Sequence, residues 1–480
     1  MVFRLVGYDL PYMQATLEKI IHFSTQKGFV FPSSQIYGGF AATYDFGPVG
    51  VLLKKNLEAA WRYWNVTSRT DMVEIEGAIF MHPKTWEASG HIGGFSDLLV
   101  EDLVSHRRFR ADHLIEDAGV MENAGSLTPE QVDETIATHN IKSPDGNAVS
   151  KAKRFNLLVK THLGPVEDES SLVYLKGESC QNIYLDYKAT QMVTRRKLPF
   201  GIAQIGKAFR NEITVKQFLF RTREFEQMDV QYFVKPAEAD AQYEAWKANR
   251  WDFYTKFLGI SEENVRWRQH EQDERAFYAQ DAWDVEYRFG EIGFKEVEGV
   301  HHRGSYDLDQ HSKFSGEDLS YFDSETNERY VPYIVECSGG FNRLFLLTLF
   351  EFYREEEVTT AKGEKETRIV MALPYHLAPM KIALLPLMKK DGLSEKAWEI
   401  YEGLRKQGIS ADYDESGSIG KRYRRQDEVG TSWCVTVDYD TLETGTVTLR
   451  HRDSMEQIGD GGRIRIEDIG TYLSKEAFGK

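Results

Sequence analysis

A chain of 480 residues has room for two or three domains, and its 41% hydrophobic and 13% aromatic content excludes a disordered protein. A net charge of −16 excludes a surface coated throughout with nucleic acid, but leaves room for a local basic track. No apolar run approaches the roughly 20 residues of a membrane helix, MVFRLVGYDLPYM forms no export signal, and Cys180, Cys337 and Cys434 are too widely spaced for a disulfide framework or a metal-ligand pattern. A cytoplasmic protein without a membrane partner is expected.

The first predicted helix runs from about Met13 to Gln26 and leads into strand-like Phe29-Val30-Phe31. Gly47-Pro48 is a helix-start signal. Beyond it Val49, Leu52, Leu53, Leu57, Ala60, Trp61 and Trp64 recur at helical spacing. That wide apolar face suits core packing and a subunit interface equally. Asp71 to Pro83 reads as one strand, and His91-Ile92-Gly93-Gly94 as a glycine-rich loop beside a site. Residues 105–150 read as an inserted helical subdomain, after which RFNLLVKTHLG returns to strand. A further strand ends at Leu175, followed by the turn Lys176-Gly177 and by Glu178. Glu178 stands where a pocket could open or where a solvated turn residue could sit.

FGIAQIGKAFRNEI, Phe200 to Ile213, reads as a strand ending in opposite charges. Counted by twos, Ile202, Gln204, Gly206, Ala208, Arg210 and Glu212 share one face. Arg223 to Val234 returns as its antiparallel partner. Such a hairpin can hold a flat, polar, anionic ligand, or be an ordinary sheet with solvated charges. Residues 236–260 are helical. Between Glu296 and His311 the chain gathers Glu298, His301, His302, Arg303, Asp307 and Asp309. The spacing matches no zinc pattern and favours a carboxylate–guanidinium network sharing Mg2+ with phosphates over a protein-only metal site.

Val331 to Val335 is a buried strand interrupted by Glu336. Ser338-Gly339-Gly340 is then expected to turn into a helix with Arg343 in its first turn, the makings of an anion site. Charges at the mouth of a buried strand are rarely only structural, because burying them unpaired is costly. The run Arg354 to Arg368 reads as a helix end and exposed linker. Past Pro374 strands and helices alternate, which predicts a separate α/β domain with a mixed sheet. Its basic helix carries Lys421, Arg422, Arg424 and Arg425, either a solvated face or a phosphate-binding patch.

Together these segments resemble one family. GKAFRNEI with FRTREFEQMDVQYFV resembles motif 2 of the class II aminoacyl-tRNA synthetases, in the form carried by dimeric glycyl-tRNA synthetases. PYIVECSGGFNR resembles motif 3, and the helix after Gly47-Pro48 with the strand ending at Pro83 resembles motif 1. YDFGPVGVLLKKNL, RFRADHLIE, YLKGESCQNI, EVEGVHHRGSYDLDQH and GKRYRRQDEVGT follow in the family's order over nearly the whole chain. The resemblance implies an α/β (α+β) fold: a class II antiparallel sheet of six to seven strands flanked by helices over 1–370, with the insert at about 105–150. An anticodon-binding domain with a mixed sheet is implied over 371–480. It also implies a homodimer that activates glycine with ATP and Mg2+ and transfers it to the 3′ end of tRNA(Gly).

Carried over residue by residue, the resemblance makes Arg210, Glu212 and Arg343 catalytic. It places ATP against these three and Asn211, Phe220, Arg221, Thr222, Arg223, Glu224 and Phe225 on the hairpin, with Val297, Glu298, Gly340, Phe341 and Asn342 beyond it. Glycine is expected against Arg110, Glu178, Phe225, Glu226, Gln227, Glu336, Ser338 and Gly340. Glu296 or Glu298 would hold Mg2+ between phosphates, and Lys421, Arg422, Arg424 and Arg425 would meet tRNA. The chain also departs from the family. Lys176-Gly177-Glu178-Ser179-Cys180-Gln181-Asn182 stands where Arg-Pro-Glu-Thr-Ala-Gln-Gly is common, and Asn342 where aspartate is common. Val104-Ser105-His106-Arg107 stands where some members carry Cys-x-x-Cys, so no structural zinc is expected. An inactive relative serving as a binding subunit should have lost the ATP-binding arginines and acids, which are present here. A class II enzyme for another amino acid is the second alternative.

Overall fold

The computed structural model describes residues 15–121, 124–213, 218–271, 280–359 and 363–477. The opening MVFRLVGYDLPYM, the expected helix start at Met13 and residues 360–362 of the charged run lie outside them.

Seven strands form the main sheet, in the order Val265–Gln269, Asp281–Arg288, Phe294–Gly304, Tyr333–Gly340, Glu224–Val234, Phe200–Phe209, Met72–Glu74. Neighbours are antiparallel except at the last pair, which is parallel. Because strand side chains alternate, the sheet has two distinct faces. On one face Met228, Val230, Tyr232 and Val234 join Val300, Val335 and Cys337 in the main core. The helix Phe341–Phe352 is almost wholly buried, with only Arg343 and Glu351 partly exposed, and packs on that face. The helix Pro48–Arg62 spends Leu53, Leu57, Ala60 and Trp61 in the same core, so its apolar face packs within its own chain. On the opposite face the helix Cys180–Thr194 covers Phe200, Ile202, Phe233 and Ile334 with Ile183, Tyr184 and Tyr187. Beyond this helix the face turns polar and open.

Four segments differ from expectation. Asp71 to Pro83 is two strands, not one: Met72–Glu74 joins the main sheet, while Phe80–Met81 pairs with Leu172–Leu175 in a small sheet. The chain bends between them at Gly77, where a Cβ would lie 2.2 Å from the Asn182 side chain. The insert is not purely helical. Its helices Ala111–Asp117 and Pro129–His139 pack on a sheet of Arg108–Arg110, Ser96–Glu101 and Lys153–Asn156, through Leu98, Val100 and Phe109. Ser338-Gly339-Gly340 extends the strand Tyr333–Gly340 instead of turning, so Glu336 sits mid-strand. Finally, the charged run forms the hairpin Tyr353–Thr359 and Lys365–Met371, its charges matched across the strands as Glu357–Lys365 at 2.5 Å and Glu356–Arg368 at 2.8 Å.

The C-terminal sheet runs Ala411–Tyr413, Ile382–Pro386, Trp433–Val437, Thr446–His451, Gln457–Arg465. Its first three strands are parallel and the rest antiparallel, a mixed sheet as expected. The strand Gln457–Arg465 escapes sequence analysis because it is glycine-rich and largely exposed. A buried ion cluster joins this unit to the hairpin: Arg368 donates to Asp427 at 2.8 Å, and Arg450 donates to the same carboxylate at 2.9 Å. Among the described residues no helix is long and apolar enough to cross a membrane.

Candidate active site

The open face of the main sheet carries a pocket whose two ends differ in chemistry. The buried end is built by register. Glu336 lies opposite Gln231 on one neighbouring strand and His301 on the other, so all three side chains share a face. Both Glu336 oxygens accept from Arg303 Nη1 at 3.0 Å. Gln231 Nε2 donates to Oε2 and His301 Nδ1 bonds Oε1, each at 2.7 Å. Burial alone would raise the Glu336 pKa, but Arg303, His301 and Gln231 overcome it and hold the carboxyl at about 2. Arg303 is itself clamped by Asp307, at 2.8 and 3.0 Å.

Glu178 lies 3.0 Å from His91 Nε2 and 3.4 Å from Arg210 Nη2. Burial opposes its charge, yet His91, Arg210 and Arg303 together hold it well below the usual carboxylate range. The stretch His91–Gly94 is a helical turn that presents His91, rather than an open glycine loop. Arg210 also donates from Nε to the Gly177 carbonyl at 3.2 Å, and its guanidinium lies 5.3 Å from the Phe225 ring centre.

Asp229 is the anomaly of this end. It is 1% exposed, opposite Ser338 in the sheet, and neither carboxylate oxygen accepts a well-formed hydrogen bond. Burial and then the charge of Glu336 push its pKa up to about 8, an effect the Ser338 hydroxyl only partly offsets. At neutral pH it is largely protonated. Lys176, equally buried, donates to the Gly77 carbonyl at 3.1 Å, and burial lowers its pKa.

The other end is more open. Arg343 Nη1 meets the Glu296 carboxylate at 3.1 Å and its carbonyl at 2.9 Å, with the guanidinium 4.5 Å from the Phe220 ring centre. Arg221 Nη1 is 3.8 Å from Glu212. Its pKa is lowered by burial first and then by Arg110 and Arg343. Asn342 reaches Thr222 at 3.4 Å.

Of the residues singled out from sequence, Glu178, Arg210, Glu212, Phe220, Arg221, Thr222, Phe225, Gln227, Glu296, Glu336, Ser338, Gly340, Asn342 and Arg343 line this one pocket. Others do not reach it. Glu298 is buried on the far face, 3.4 Å from Arg250, and Val297 lies in the core. A bulge is the reason: Glu286 pairs with Glu296 while Val285 pairs with Glu298, which puts the two glutamates on opposite faces. Glu226 and Glu224 also point away from the pocket, paired with Lys54 at 2.8 Å and Lys207 at 2.6 Å. Phe341 belongs to the core. Arg110 lies outside the lining, bonded to Asp112 and Asp97 at 2.5 and 3.2 Å. Asn211 is exposed at the rim, where Arg223 Nε holds the Glu212 carbonyl at 3.2 Å.

The basic helix Ile419–Val429 is also corrected in part. Arg422 is 3% exposed and donates to the carbonyls of Pro386 and Gly417, so it is closed to phosphate. Arg424 pairs with Glu366 and Arg425 with Asp414, leaving Lys421 and Arg425 at the surface. His301 and Arg303, read from sequence only as members of a carboxylate–guanidinium cluster, and Cys180, given no role there, are all in the lining. His301 and Arg303 do alternate on one strand face, but only the register with Glu336 gives them a role. Among the described residues no group of three or more His, Cys, Asp or Glu could hold a metal ion.

Comparison with known proteins agrees with this geometry. Residues 165–352 match the tRNA synthetase class II core domain (G, H, P, S and T), and residues 381–476 match the anticodon binding domain. A glycine--tRNA ligase of Treponema denticola is 48% identical over 445 residues, covering 92% of this chain and 94% of that protein. Those of Streptomyces coelicolor and Clostridium perfringens are 44% and 46% identical, each covering 96% of this chain and 99% of theirs. The chain belongs to the glycine--tRNA ligase family of class II aminoacyl-tRNA synthetases.

Proposed function

We propose that this chain activates glycine with ATP and transfers it to tRNA(Gly). One observation carries the assignment. A cage of ionised carboxylates, Glu178 and Glu336, shares a pocket with Arg210 and Arg343. The cage suits an ammonium and the arginines suit phosphates.

The glycine ammonium sits between Glu178, Glu336 and Ser338. Its carboxylate attacks the α-phosphorus of ATP, forming the mixed anhydride as pyrophosphate leaves. Arg210 draws the two anions together and stabilises the charge that builds in the transition state. Charge stabilisation of this kind usually lowers the barrier more than any other effect in such reactions. Arg343 takes the terminal phosphates. Phe225 stacks on adenine, and Glu212 accepts from its amino group. Of the two carboxylates proposed for Mg2+, Glu296 alone faces the pocket. A single carboxylate is enough for an ion that arrives on phosphate oxygens with waters attached. When bound, the ion neutralises pyrophosphate charge. In the second step the terminal ribose hydroxyl of tRNA displaces AMP.

The working form is a cytoplasmic homodimer. Exposed Ile36, Tyr37 and Phe40 are apolar surface in keeping with a partner subunit. The catalytic body extends to about residue 370 around the insert, and the tRNA-reading domain follows from 371. In that domain Lys421 and Arg425 are the exposed cations offered to tRNA phosphates.

Glycine-dependent ATP–pyrophosphate exchange tests the assignment. Exchange with glycine, and none with serine, alanine or proline, is expected. A folded preparation without glycine-dependent exchange would overturn the assignment, and exchange with another amino acid alone would name that one instead.

A further inference from the structure

The segment that carries Glu178 belongs to neither helix nor strand: residues 176–179 join the strand Leu172–Leu175 to the helix Cys180–Thr194. Side chains hold its backbone on both sides of Glu178. The Gly177 carbonyl accepts from Arg210 Nε at 3.2 Å, the Ser179 N–H donates to Gln227 Oε1 at 2.9 Å, and the Ser179 carbonyl accepts from Gln204 Nε2 at 2.8 Å. Arg210 and Gln227 line the pocket, whereas Gln204 is not part of the lining. It stands on the strand Phe200–Phe209, fully buried against the start of the helix. Both ends of its amide are used: while Nε2 holds Ser179, Oε1 accepts from the Gly77 N–H at 2.5 Å. The Gly77 carbonyl is taken in turn by Lys176 Nζ at 3.1 Å, and a Cβ at Gly77 would collide with Asn182 in the first turn of the helix. The bend at Gly77 is thus seated against the helix start, with Gln204 bridging the two.

We propose that Gln204 is a positioning residue: by tying the carbonyl next to Glu178 to the bend at Gly77, it sets the separation of the two carboxylates that receive the glycine ammonium. Glu336 sits mid-strand, so sheet register fixes its place. Glu178 has no register and depends on the anchors of its loop. Its side-chain contacts, His91 at 3.0 Å and Arg210 at 3.4 Å, orient the carboxylate but leave the backbone to those anchors. An ammonium that must meet two carboxylates at once is sensitive to the distance between them, and a misplacement of about 1 Å can cost about 100-fold. This inference rests on the glycine-activating assignment above.

Pyrophosphate exchange with glycine and ATP varied separately tests the proposal. Gln204→Met keeps the volume of the side chain and removes both of its hydrogen bonds. It should raise the glycine KM by about tenfold while the ATP KM changes by less than about twofold. A merely structural glutamine would not divide the two substrates in this way. Gln204→Glu keeps the shape and an oxygen for the Gly77 N–H, and decides by the same ratio if the methionine variant does not fold. A folded variant whose glycine KM rises no more than its ATP KM overturns the proposal. If neither variant folds, the residue serves the fold rather than the cage, and the proposal falls as well. In either case the parent's own glycine exchange shows that the assignment of function survives. A parent without glycine exchange overturns both.

Discussion

The two ends of the pocket are built on opposite plans. At the buried end every charge has a fixed partner: Glu336 has Arg303, His301 and Gln231, and Arg303 has Asp307. At the open end Arg343 holds the half-exposed Glu296, and Arg221 and Glu212 stand 3.8 Å apart. The first arrangement is preorganised, so a ligand meets dipoles and charges already in place. The second can be redrawn when phosphates arrive, because the Glu296 carboxylate held by Arg343 is half-exposed and can give way to a phosphate while the guanidinium keeps its backbone contacts. Damage at the buried end should therefore show in stability as well as in activity. Damage at the open end should show in rate alone.

The largest effect is expected from Glu336→Gln. It leaves Arg303 short of a buried partner, which costs about 3 kcal/mol, and it removes one wall of the ammonium cage. Urea unfolding and exchange assays should both register the loss. Stability equal to the parent's would break the comparison. Next comes Arg343→Ala, which should lower exchange by about 100- to 1000-fold while the melting temperature stays near that of the parent. An equally large fall in melting temperature would show that the open end is structural too.

Asp229 sharpens the comparison through pH. The folded protein keeps this proton up to about pH 8. The unfolded chain gives it up near pH ~4. Between those values the folded state binds more protons than the unfolded state, so this group makes stability fall as pH rises. Asp229→Asn removes the dependence. Its melting temperature should gain on the parent's between pH 5 and pH 8, and parallel curves would contradict the assignment. The smallest effect is expected far from the pocket. Neutralising Lys421 and Arg425 together should weaken tRNA binding a few-fold, roughly, and flatten its salt dependence, with exchange unchanged. The same change at Arg422 should instead destabilise the C-terminal domain, since that guanidinium closes backbone carbonyls.

How far the sequence could be read follows from periodicity. The strand of Arg210 alternates strictly, so counting by twos places Gly206, Ala208 and Arg210 on the pocket face. The same count fails at Glu296 and Glu298, because one bulged residue reverses the parity and composition does not encode it. In the basic helix the helical period separates the cations that a bare count of charges lumps together. Arg422 and Gln426 are four apart and turn inward together, whereas Lys421 and Arg425 turn outward. The insert's strand Arg108–Arg110 is too short for a pattern to emerge before pairing reveals it, whereas Lys153–Asn156 falls in the stretch read as a return to strand. The roles of His301 and Arg303 needed long-range register, which no local pattern carries.

The most direct test of the two-ended pocket is a crystal structure with a non-hydrolysable glycyl-adenylate analogue. The account predicts the analogue's ammonium between Glu178 and Glu336, in hydrogen-bonding range of both, with those side chains unmoved. It predicts the phosphate mimic against Arg210, and the Glu296 carboxylate swung away from Arg343. An ammonium bound elsewhere, or a buried end rebuilt around the ligand while the open end stays as it is, would contradict it.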